Sequence, residues 1–141
     1  MKNNKLLMIM LILIVAITLV GAVAAVVVLK FTGQEDKKPT IDEVLEASVD
    51  VPEITTNLAG EDFIKISFKI QTDSKKAKEE LEKRDFQVKN IIIEELSEKK
   101  AEDLKGKEGK TKFEEDLKMK IDGLMQEGKI EQVYITECLL Q

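Results

Sequence analysis

From Leu6 to Leu29 the chain runs for 24 residues without a charge. Sixteen of these are Leu, Ile or Val. A hydrocarbon core about 30 Å thick is crossed by about 20 apolar helical residues, so the run is long enough to span it. At the centre of a bilayer each such side chain favours insertion by roughly 0.3 to 0.6 kcal/mol, and the sum is on the order of several kcal/mol. Thr18 is the one hydroxyl in the run, and it can bond back to its own helix. The sequence therefore predicts a spanning helix bounded by Leu6 and Leu29. Gly21 and Ala25 have the small-x-x-x-small spacing that lets two such helices approach, although small residues also serve as lipid-facing filler.

A cleaved signal peptide is the rival reading. Lys2 and Lys5 make a basic start, and Ala22-Val23-Ala24 resembles a small-x-small cleavage site. The apolar run continues past that site through Val26-Val27-Val28-Leu29, which favours a retained anchor. No lipobox cysteine lies there. Positive charges on the two flanks nearly balance, with Lys2 and Lys5 before the run and Lys30, Lys37 and Lys38 after it. A long domain following a first apolar segment is usually translocated, so residues 1–5 are expected inside. On this reading 6–29 spans, 30–39 is a juxtamembrane linker and 40–141 is an extracytoplasmic domain.

All 27 acidic residues lie at or after Glu35. With Lys2, Lys5 and Lys30 set aside, 19 basic residues face them, leaving −8 from Phe31 onward. Such a domain repels phosphate backbones, so nucleic acid is not an expected partner. The chain has no histidine and one cysteine, Cys138. That excludes an intrachain disulfide and argues against zinc. Cys138 sits in an apolar stretch and reads as a small buried side chain.

Thr40 and Glu43 have capping-box spacing and open a short helix, of up to three turns, with Ile41, Val44, Leu45 and Ser48 along one face. Val51–Leu58, with Pro52 near its start, suits an edge strand. Ile64, Ile66, Phe68 and Ile70 alternate with Lys65, Ser67, Lys69 and Gln71, which predicts a strand with one buried face. A turn around Ala59-Gly60 joins the two as a hairpin. Asp73-Ser74 caps a helix carrying Ala77, Leu81 and Arg84, and Asp85 breaks and recaps it. The next helix buries a broad face of Val88, Ile91, Ile92, Ile93 and Leu96. Leu104–Thr111 reads as a two-glycine loop. Thr111 and Glu114 then cap a helix with Phe113, Leu117, Ile121, Leu124 and Met125, ended by Gly128. Ile130–Leu140 reads as a strand with apolar residues on both faces, which suggests a central position. The expected fold class is α/β, with α+β as the other form: helices packed on a small sheet.

Catalytic sets are missing from the pattern. Gly109-Lys110-Thr111 lacks the upstream glycine of a phosphate-binding loop, since position 104 is Leu104. Without histidine there is no Ser-His-Asp triad. Ser67 near Lys65 and Lys69 offers a nominal Ser–Lys pair on an open strand face. Glu94-Glu95 and Glu114-Glu115-Asp116 point in diverging directions on helices. No enzyme, cofactor or metal is expected. Holding a domain at a membrane and presenting surfaces to partners is the general reading that remains, with an anchored or secreted envelope adaptor or binding module as the alternative.

Glu79-Glu80-Leu81 through Arg84, Val88 to Leu96, Leu104-Lys105-Gly106 with Gly109-Lys110, and the terminal Val133-Tyr134-Ile135-Thr136 ending in Gln141 carry a resemblance. They are similar to the flagellar basal-body-associated FliL family over nearly the whole chain. Ile135 stands where an aromatic is common, and Lys89-Asn90 replaces a basic-acidic pair. The resemblance implies a role in swimming or swarming motility. It implies association with stator proteins of the MotA/MotB type and other basal-body components. It also implies a stomatin/prohibitin-like outer domain, homo-oligomeric rings and a structural role for Arg84, Gly106, Gly109, Val133, Tyr134, Thr136 and Gln141.

Overall fold

Three antiparallel strands carry the fold of the C-terminal unit. The structure, a computed structural model, describes residues 2–32 and 37–141. It divides into two units, 1–38 and 39–141. The first contains α1 (Lys2–Thr32), an apolar helix whose described side chains are exposed and whose length and composition suffice to cross a membrane. Thr18 donates its hydroxyl to the Ile14 carbonyl at 2.7 Å, so its one polar group is satisfied inside the helix. Residues 33–36, the middle of the expected linker, and Met1 lie outside the described residues.

In the second unit the order is α2 (Ile41–Glu46), β1 (Ser48–Asn57), β2 (Phe63–Thr72), α3 (Lys75–Lys83), α4 (Asp85–Glu98), a 3-10 turn Ala101–Leu104, α5 (Gly106–Asp122) and β3 (Ile130–Leu140). The sheet order is β1-β2-β3, wholly antiparallel, so the fold is α+β. The capping box at Thr40 and Glu43 forms in both directions, and Ser74 accepts from the Ala77 amide at 3.1 Å. β2 buries Ile64, Ile66, Phe68 and Ile70 against Val88, Ile92 and Leu96 of α4 and Phe113, Leu117 and Ile121 of α5. The Phe68 and Phe113 rings meet at 6.2 Å between centroids.

Five local expectations change. β3 is an edge strand, and β2 is the central one. The apolar pattern misled because β3 carries bulges. Ser67 pairs with Glu137 but Phe68 with Ile135, which leaves Thr136 as an extra residue. Val133 and Ile135 before it, and Cys138 and Leu140 after it, therefore belong to one face although their spacing changes parity. β1 has a matching irregularity between Val51 and Ile54, at Pro52.

α5 begins at Gly106, inside the expected loop, so Thr111 lies within the helix. The same helix ends at Asp122 with Gly123 as its C-cap, not at Gly128. Gly128 instead takes φ +72 in the turn before β3. α2 has under two turns, and Ser48 starts β1, donating from its hydroxyl to the Val44 carbonyl. On α4 the buried face is narrower than three isoleucines suggest: Ile92 is buried, Ile91 partly buried and Ile93 exposed.

Candidate interaction site

Arg84 sits where α3 stops and α4 starts. Its Nε donates to Glu80 Oε1 at 2.9 Å, and its Nη1 donates to Gln87 Oε1 at 2.8 Å. The guanidinium thus ties the two helices across their break. Glu80 does more than pair with it. Its carboxylate accepts the backbone amides of Gln126 at 2.9 Å and Glu127 at 2.7 Å, in the turn between α5 and β3. These two amides hold the Glu80 pKa below its ordinary value against an opposing effect of burial, and the hydrogen bond and charge of Arg84 add smaller pulls in the same direction as the amides. Asp122 Oδ1 accepts the Ile130 amide at 2.9 Å, and the Asp73 amide donates to the Lys129 carbonyl at 3.1 Å. One turn is therefore held from α3, from α5 and from the connection between β2 and α3.

Gly106 has φ +74, the left-handed region in which glycine is strain-free. A Cβ on Gly109 would lie 2.3 Å from the Asp103 carbonyl oxygen, so α5 can start against the 3-10 turn only with glycine there. Val133 is fully buried and pairs with Ile70. Tyr134 faces the open side beside Lys69, its hydroxyl 3.4 Å from Gln71 Oε1. Thr136 is the bulge residue, and Gln141 exchanges both backbone hydrogen bonds with Phe63 at 2.8 Å. These residues spread over the turn, the helix start and the β3 edge; they do not converge on one pocket. In α1, Gly21 has open space around it.

Electrostatic ties across the surface are ordinary. Lys120 bonds Glu95 and Lys99 lies 4.0 Å from Asp116, joining α4 to α5. The Glu95 carboxylate raises the Lys120 pKa. Lys69 is held by Asp50 at 3.1 Å, so one member of the nominal Ser–Lys set is engaged in a cross-strand ion pair. Among the described residues no group of three or more His, Cys, Asp or Glu side chains could hold a metal ion. The i, i+4 spacing of Glu80 and Arg84 made their pairing readable. The grip of Glu80 on residues 46 and 47 positions away left no local signal.

The chain thus joins an apolar helix long and apolar enough to cross a membrane to a small acidic α+β unit whose distinctive residues brace backbone turns. Residues 48–141 match the family described as flagellar basal body-associated protein FliL. The chain is also similar to the flagellar protein FliL of Bacillus subtilis (strain 168), with 48% identity over 124 residues, covering 86% of this chain and 89% of that protein. The chain belongs to the FliL family of flagellar basal-body proteins.

Proposed function

We propose that this chain is a non-enzymatic, single-pass component of the flagellar basal body that supports the motor's stator units. Residues 1–5 lie in the cytoplasm, 6–29 cross the membrane, and 30–39 lead to an extracytoplasmic domain from Thr40 onward. Its partners are the bilayer, stator proteins of the MotA/MotB type and further copies of itself. The carrying observation is the 48% identity to a flagellar FliL across most of both chains, together with the apolar helix at the N-terminus. Anchoring supports the reading physically. Confinement to a thin layer raises effective concentration, so weak lateral contacts suffice for assembly.

The test is deletion of the gene, scored by spreading through soft agar and over firmer agar and by fluorescent stator recruitment under load. Reduced motility, restored by the full chain but not by residues 39–141 secreted without α1, is the expected result. Normal swimming, swarming and recruitment in the deletion strain would refute the assignment.

A further inference from the structure

We propose that α2 is a membrane-surface contact: Ile41 and Leu45 rest on the lipid headgroup–acyl boundary. None of the α2 side chains is buried, yet the helix is firmly held. Thr72 donates both its amide and its hydroxyl to the Ala47 carbonyl, and Lys75 pairs with Glu46 at 3.4 Å. Glu43, Val44 and Glu46 line the groove against Thr72 and Ser74. Residues four apart share a helix face, so Ile41 and Leu45 form one strip turned away from that groove. They are 70% and 48% exposed. The acidic residues Asp42, Glu43 and Glu46 lie on the other arc of the same turn and a half.

The position in the chain selects the occupant. Eight residues, 33–40, separate the end of α1 from α2. They reach at most about 28 Å, whatever their conformation. Lys37 and Lys38 in that segment are balanced by Glu35 and Asp36, so the short tether and the apolar strip, not charge, select the bilayer surface. A rigidly mounted apolar strip so tethered meets a bilayer surface before any diffusing partner. The inference rests on the reading that α1 spans the bilayer.

The chain has no tryptophan, so a single introduced one reports its own surroundings. Full-length Leu45→Trp, Val20→Trp and Glu61→Trp would each be reconstituted into phosphatidylcholine–phosphatidylglycerol vesicles with and without brominated acyl chains. Glu61 lies in the hairpin turn at the far end of β2, about 30 Å along the strand from α2. Leu45→Trp is expected to lose about half its emission or more to bromine, Val20→Trp to be quenched more strongly, and Glu61→Trp to be unaffected. Adding Ile41→Asp to Leu45→Trp is expected to abolish the quenching at the unchanged fold, since neither side chain is buried. Quenched Val20→Trp with unquenched Leu45→Trp overturns the surface contact and leaves the anchor standing. Unquenched Val20→Trp overturns both. A blue-shifted Leu45→Trp that bromine does not quench means a protein covers the strip, and also overturns the proposal.

Discussion

A methyl group on Gly109 would collide with the Asp103 carbonyl, and backbone cannot swing aside as a side chain can. Gly109→Ala is therefore expected to destabilise residues 39–141 by about 1–3 kcal/mol, read as a lower urea midpoint at constant m-value. Glu80 makes a pH-dependent prediction. Its folded pKa lies below the ordinary 4.5, so its contribution to stability is complete above that value. The contribution is lost as pH falls through the depressed folded pKa. Glu80→Gln is expected to lower Tm at pH 7 and to flatten the acid limb of a Tm-against-pH curve. Equal acid limbs in the two proteins would remove Glu80 from the account.

At the scale of elements, the helix starts at Thr40 and Ser74 and the β1–β2 hairpin were legible, because each depends on residues within a few positions of one another. The misread glycines share a cause. Gly106 and Gly109 looked like loop markers and Gly128 like a helix end, but what each must avoid or contact lies outside its own turn of sequence or is fixed by local backbone angles. Gly128 packs where a Cβ would be 2.4 Å from Asp73 Oδ1, a contact that no periodicity announces. The Gly21 and Ala25 spacing in α1 likewise acquires meaning only from a neighbouring helix. A Cβ added at Gly21 meets no neighbouring atom within 4 Å, so Gly21→Ile is expected to leave folding intact. If copies pair through that face, membrane crosslinking between them falls; unchanged crosslinking assigns Gly21 to lipid. Between α5 and β2, Phe113→Ala removes the ring against Phe68 and is expected to cost about 3–5 kcal/mol, measured by denaturant unfolding.

For the whole molecule, the strongest expectation concerns attachment. The full-length chain should remain in the pellet when native membranes are washed with alkaline carbonate, and its intact mass should include residues before Ala25. Ile17→Arg, at the middle of the run, should weaken insertion by about 2.5–3.5 kcal/mol and release a fraction to the wash. The broad plan of an apolar run, an acidic unit and a strand closing the sheet was visible in composition and alternation. The position of Glu80 in that plan was not, because carboxylates are abundant along the chain and only the fold decides which one meets two backbone amides.

The two flanking strands are irregular at the same level, on either side of Ser67. The two irregularities therefore fall on one line across the sheet. Strand length is adjustable at a bulge: removing Thr136 keeps Ile135 opposite Phe68 and Glu137 opposite Ser67, and removing Glu131 keeps Gln132 opposite Gln71 and Ile130 opposite Thr72, whereas losing a residue from the regular part of β3 would turn the remainder inside out. Related chains that differ in length by a single residue in this strand should therefore have gained or lost it at one of these two positions.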